Sequence, residues 1–138
     1  MYLLDTNVIS ELRKNKPHGA VQSWFASVAA RDIQISAVAV GELQDGAELT
    51  RLQYPLKAAE IERWIDRIVR TFVVIPMDGN SFRETARLMA GKPDDLFEDA
   101  MIAATARIHK IVVVTRNVKD FTIFGVQVFN PFTYKGKN

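Results

Sequence analysis

Three features of the 138-residue sequence predict an α/β fold with a parallel sheet covered by helices on both faces. Short apolar runs alternate with stretches of helical periodicity. The runs are continuously apolar rather than alternating with polar residues, as strands buried on both faces require. No internal repeat, low-complexity tract or long linker breaks the order, which predicts one domain over 1–138.

Taken in order, Tyr2-Leu3-Leu4 reads as a buried first strand leading straight into Asp5, an N-cap candidate for a short helix from Val8. Val21, Trp24, Phe25 and Val28 recur at helical spacing. Ile33-Gln34-Ile35 is a second strand, ended by Ser36, which can cap a helix running through Val38, Glu42 and Leu49. A further helix starts near Pro55 with Ile61, Ile65, Ile68 and Val69 on one face. Phe72 to Ile75 is a third strand stopped by Pro76, and Ser81 to Ala90 a helix with Gly91 as its C-cap. Glu98 to Ile108 is an alanine-rich helix, and Ile111 to Val114 the most β-branched run in the chain. Val126 to Phe129 supplies the last strand, which Pro131 ends.

Composition removes several function classes. With no cysteine, the chain has no disulfide, no thiolate nucleophile and no Cys-ligated metal. A formal charge of +2 tolerates a polyanionic partner without demanding one. No apolar run reaches the roughly 18 residues of a membrane span, and Asp5 and Asn7 interrupt the early apolar stretch that a secretory signal would need. A cytoplasmic protein is expected.

In a parallel sheet, ligands sit beyond the carboxyl ends of the strands, so polar residues there need a reason. Asp5 follows strand one. Glu42 follows strand two and, by helical spacing, shares a face with Val38, Asp45 and Leu49 rather than with solvated residues. Asp99 precedes strand four with Ile102, Ala103 and Ala106 on its own face, so it points inward. Its place near a helix N-terminus explains it only in part. Three carboxylates about 4 Å apart would repel by roughly 4 kcal/mol per pair at an effective dielectric near 20. A divalent cation reverses that penalty, and oxygen-only ligands select Mg2+ or Mn2+ over zinc. Such an ion suits phosphodiester hydrolysis. After strand four come Thr115-Arg116-Asn117 and Asp120-Phe121, where Asn117 offers a carbonyl and Arg116 a phosphate contact. Turn chemistry explains Asn117 and Asp120 equally well.

Leu3-Leu4-Asp5-Thr6-Asn7-Val8-Ile9-Ser10, Ser36 leading to Glu42-Leu43, Asp99 to Ala106, Thr115-Arg116-Asn117 with Asp120-Phe121, and Phe129-Asn130-Pro131 together resemble the PIN-domain nucleases. Within them the chain is similar to the VapC-type toxins of type II toxin–antitoxin systems, in the FitB-like branch. The resemblance covers nearly the whole chain in order. It implies a three-layer α/β/α sandwich with a central, mostly parallel sheet. It implies a magnesium-dependent endoribonuclease with Asp5, Glu42 and Asp99 as catalytic, metal-holding acids. It further implies a VapB-type antitoxin partner and a homodimer. Where some members carry another aspartate this chain has Asn117, leaving the fourth position to Asn117 or the displaced Asp120, and the number of metals open. Thr6, Asn7 and Thr115 are candidates to position water or phosphate. The apolar stripe between Glu42 and Thr71, read with the resemblance, is the expected antitoxin contact.

His18 reads as solvated and His109 as a cation at a helix C-terminus. Trp24, Phe25 and Trp64 fit packing faces, and Arg63, Arg67 and Arg70 a solvated one. Three rivals remain. A haloacid-dehalogenase-type phosphatase would need a second aspartate where Asn7 stands, and a Rossmann module a Gly-x-Gly-x-x-Gly that is missing after strand one. A PIN-fold binding module without catalysis is disfavoured because all three central acids are present. DNA as the substrate stays open.

Overall fold

The computed structural model describes residues 1–136. Five short parallel strands, β1 (Tyr2–Leu4), β2 (Ile33–Ser36), β3 (Val73–Ile75), β4 (Val112–Val114) and β5 (Val128–Phe129), form one sheet in the order β3-β2-β1-β4-β5. Seven helices connect them: α1 (Thr6–Arg13), α2 (Gly19–Ser27), α3 (Ala37–Arg51), α4 (Pro55–Thr71), α5 (Gly79–Met89), α6 (Phe97–His109) and α7 (Val118–Thr122). The predicted α/β class and parallel sheet are found.

Strand alternation sends side chains to two separate cores. Leu4, Ile33, Ile35 and Val114 pack with Val8, Val21, Trp24, Leu43, Ile61 and Ile65 from α1 to α4. Leu3, Ile75 and Val113 face the other way, onto Ala100, Ile102, Ala103 and Ala106 of α6 and Phe121 of α7. The alanines of α6 let that helix lie close against the sheet. Helix–sheet–helix layering follows from these two faces.

Local chemistry sets most boundaries. Ser36 Oγ accepts from the Val38 N–H at 3.1 Å and starts α3. Pro55 opens α4, where its missing N–H costs nothing. Gly91 adopts φ +76° just beyond Ala90, the residue that ends α5. Asp78 starts α5 two residues ahead of the predicted Ser81, its carboxylate accepting from both the N–H and hydroxyl of Ser81.

Four expectations need correction. The first helix begins at Thr6, not Val8, because Asp5 caps immediately after the strand. Val69 is exposed while Ile61, Ile65 and Ile68 are buried, so the buried stripe of α4 is narrower than the apolar one. The last strand is two residues long, beginning at Val128. On α3 the buried face is Ala39, Leu43 and Ala47, whereas Asp45 is exposed and Leu49 is 63% exposed. Glu42 is therefore half-buried at the edge of that face rather than set among apolar neighbours. Among the described residues no helix is long and apolar enough to cross a membrane.

Candidate active site

The order β3-β2-β1-β4-β5 places the reversal of strand order between β1 and β4, which run parallel. At such a switch point the connections leave toward opposite faces and open a crevice beyond the strands' carboxyl ends. Asp5 and Thr115, the first residues past β1 and β4, stand on its two sides.

Asp5 is buried at 5% exposure and held from three directions. One carboxylate oxygen accepts from the Thr6 N–H at 2.8 Å. The other accepts from the Thr115 hydroxyl at 2.8 Å and the Asn7 side-chain amide at 3.0 Å. The Asp5 backbone N–H donates to the Val114 carbonyl, continuing the sheet by one bond. Burial raises the Asp5 pKa above its ordinary value; the hydrogen bonds from Thr115, Thr6 and Asn7 oppose the shift, and the charge of Asp120 adds to it.

Thr115 is offered by the sequence for positioning water or phosphate, and the structure gives it another task. Its hydroxyl is fully buried, donates to Asp5, and accepts from Asn7 Nδ2 at 3.3 Å and the Asn117 N–H at 3.0 Å. A hydroxyl has one proton and two lone pairs, so nothing is left for a ligand. Asn7 is similarly engaged: Nδ2 serves Asp5 and Thr115 while Oδ1 accepts from the Arg116 N–H at 3.3 Å. Both residues orient Asp5.

Glu42 from α3 and Asp99 from α6 each lie close enough to Asp5 to feel its charge. Burial, then the charges of Glu98 and Asp5, push the Glu42 pKa up to about 7. Burial, then the charges of Asp5, Asp120 and Glu98, push Asp99 up to about 6. These mutual influences show that Asp5, Glu42, Asp99 and Asp120 share one field. Glu98, which the sequence offers only as the start of a helix, belongs with them and lines a cavity of about 300 Å³ with Val38, Gly41, Glu42, Asp45 and Met101. An acid in the first turn of a helix has an ordinary explanation, so no sequence signal separates it. Of the two fourth-position candidates, Asp120 acts on Asp5 and Asp99, while Asn117 precedes α7 without a side-chain capping bond.

The donor set suits a hard divalent cation, being all oxygen and mutually repelling. Thr6 Oγ1 is buried without a hydrogen-bond partner among the described residues, an orphan that costs free energy unless something uses it. It lies near enough to lower the Glu42 pKa, yet outside hydrogen-bond geometry. Among the described residues, no three His, Asp or Glu side chains are gathered so as to hold an ion.

Known proteins resemble this chain in sequence and in fold. The PIN domain family pattern matches residues 2–122. The toxin FitB of Neisseria gonorrhoeae is 35% identical over 139 residues, which span 96% of this chain and 99% of that protein. The VapC ribonuclease Y4jK of Sinorhizobium fredii is 33% identical over 148 residues, spanning 96% and 98%. The solved structure of FitAB bound to the IR36 DNA fragment superimposes with a TM-score of 0.85 at 32% identity, covering 100% of each chain. On its sequence, its sheet and the acids beyond that sheet, the chain belongs to the PIN-domain family, among the FitB and VapC toxins.

Proposed function

We propose that the chain is the toxin of a toxin–antitoxin pair and acts as an endoribonuclease that hydrolyses RNA phosphodiester bonds with Mg2+, for which Mn2+ can substitute. The observation that carries this reading is the shared field of Asp5, Glu42 and Asp99 beyond β1 and β4, two of them drawn up to about 7 and about 6. Carboxylates that raise one another's pKa beyond the ends of the strands mark a working site more often than a structural one. The VapC relative, described as a ribonuclease, supports RNA as the substrate.

Asp5, Asp99 and Glu42 would hold the ion, with Asp120 beside them. When bound, the ion supplies charge neutralisation and Lewis acidity toward a phosphoryl oxygen. The chain's own residues do the rest. Thr115 and Asn7 fix the Asp5 carboxylate, removing the cost of orienting it during the reaction. Glu42, half-buried at the edge of α3, is suited to orient the attacking water.

A FitAB assembly bound to DNA supports a small antitoxin partner for this chain, of the VapB kind; the homodimer is implied by the family resemblance. The contact expected between Glu42 and Thr71 falls on the antiparallel pair α3 and α4. There, beside α2, a cavity of about 500 Å³ lined by Leu12, Phe25, Trp64, Ile68 and Phe72 opens.

Cleavage of a panel of structured RNAs, with single-stranded DNA alongside, tests the reading in Mg2+, in Mn2+ and in chelator. The parent chain should cut RNA only with metal, and Asp5→Asn should be inactive at least a hundredfold below it while folding normally. Full activity of Asp5→Asn would remove Asp5 from the mechanism, and cutting of DNA alone would replace the substrate.

A further inference from the structure

The groups that the crevice brings together, Asp5, Glu42, Glu98, Asp99 and Asp120, are all acids. A polyanionic strand approaching them needs cations at the rim, since a bound ion cannot neutralise the phosphates on either side of the one being cut. Several basic side chains are already engaged elsewhere: Lys14 with Glu11, Arg51 with Glu48 and Glu62, and Arg87 and Arg107 with Glu84. Arg116 pairs with no carboxylate among the described residues, and it stands next to Thr115 with its backbone N–H on Asn7. The Asn7 amide that accepts this N–H through Oδ1 donates through Nδ2 to Asp5.

The Arg116 guanidinium does not trail into solvent. Its carbon lies 4.5 Å from the centre of the Phe132 ring. Phe132 is itself fixed: its N–H is accepted by Asn130 Oδ1 at 3.0 Å, Pro131 before it is buried, and the ring packs against the core beneath α1 to α4. His18 closes on the same ring at 5.2 Å in an edge-on arrangement. Its Nδ1 accepts from the Ala20 N–H at 3.2 Å, so the exposed imidazole carries its proton on Nε2. Residues from the start of α2, the loop after β4 and the turn after β5 thus meet around one ring. A guanidinium resting on a ring keeps its N–H donors free in its own plane, the geometry that takes phosphate oxygens two at a time.

We propose that Arg116, held by Phe132 and flanked by His18, is a phosphate-binding subsite for the RNA strand beside the scissile bond. Phe132 is a positioning residue, and Arg116 and His18 are the contacts. Arg13 is a second unpaired cation at the crevice, lining a cavity with Thr6 and Glu42. Unlike Arg116 it rests on no recorded aromatic ring. The subsite rests on the ribonuclease reading for its substrate, while its binding role is measurable without cleavage.

The test is binding of a fluorescein-labelled single-stranded RNA to the Asp5→Asn form in Mg2+ at several salt concentrations, with steady-state cleavage measured in the otherwise native chain. Arg116→Ala should weaken binding about tenfold and lower the salt slope by about 0.7, the share of one phosphate on a single strand. In cleavage it should raise KM while kcat stays within about twofold. Phe132→Tyr should behave as the parent, whereas Phe132→Leu, which keeps the bulk but loses the ring, should follow Arg116→Ala at an unchanged melting temperature. An unchanged salt slope in Arg116→Ala, or parent-like binding by Phe132→Leu, would overturn the proposal. So would loss of antitoxin binding with RNA binding intact, which would assign the rim to the protein partner. A parent chain that binds RNA through Arg116 but cuts none would count against the ribonuclease reading and leave the subsite standing.

Discussion

Asp5 caps α1 with one oxygen and offers the other to Thr115 and Asn7, so the proposed ion holder also fixes the first helix. Thr115→Val, nearly isosteric, removes one of its donors and leaves the Asn117 N–H without its acceptor. Unsatisfied buried groups of this kind cost about 1–3 kcal/mol. Melting should register that loss, and cleavage should fall about tenfold or more as Asp5 loses its orientation. A second consequence concerns pH. Glu42 is raised from 4.5 to about 7 and Asp99 from 3.8 to about 6, so between those limits the folded chain binds more protons than the unfolded one. Their contribution to the stability of the metal-free protein is therefore largest below about pH 4, falls as pH rises through that window, and levels off above it. Thermal melts in chelator should show the decline, Glu42→Gln should flatten about half of it, and Mg2+ should raise the melting temperature near pH 7.5. A melting temperature that climbs from pH 4 to pH 7 would contradict the assignment. Asp5 and Asp99 stood out in the sequence because one sits past a strand and the other on an inward face where solvation does not excuse an acid, whereas Glu42 lies at the edge of a buried face that spacing placed wrongly. The tasks of Thr115 and Asn7 were not legible, because spacing gives no hint that a hydroxyl 110 residues away consumes its whole hydrogen-bonding capacity on Asp5.

The elements were legible in proportion to their length. Helices α3, α4 and α6, of 15, 17 and 13 residues, show their period plainly. Helix α7, with five residues, is shorter than any window in which a period of 3.6 can be recognised, so Val118–Thr122 reads as a turn. Exposed apolar residues misled the sequence reading for a different reason. Leu49, Leu52, Tyr54 and Leu56 cluster where α3 turns into α4, and Leu52 and Leu56 are 83% and 85% exposed. A periodic stripe cannot say which of its members meets this chain's core and which meets another surface. If the antitoxin covers the α3–α4 pair, hydrogen exchange within 42–71 should slow on its binding while exchange in α5 stays the same; unchanged exchange in α3 and α4 would move the contact elsewhere. The start of α3 depends on Ser36, whose hydroxyl is fully buried on the Val38 N–H. Ser36→Ala should cost about 1 kcal/mol by chemical denaturation. Because α3 carries Glu42, cleavage should weaken in step.

At the scale of the whole molecule, the parallel order and the two cores follow from continuous apolar runs separated by helices, which is why the class was visible before any contact. The strand order was not visible, since five short runs of similar composition carry no label for their neighbours. That order has a consequence for how the protein comes into being. The central strand β1 is the first to be made, yet one of its two partners, β4, spans Val112–Val114, and the hydroxyl that holds Asp5 belongs to Thr115. Chains emerge from the ribosome amino end first, and a pairing across more than a hundred residues forms late. While the ribosome is still adding residues, a nascent chain has Asp5 but lacks the strand that orients it. A cell translating this message would meet no active nuclease from interrupted synthesis, only from a nearly finished chain, and that gives an antitoxin time to be present when the site closes.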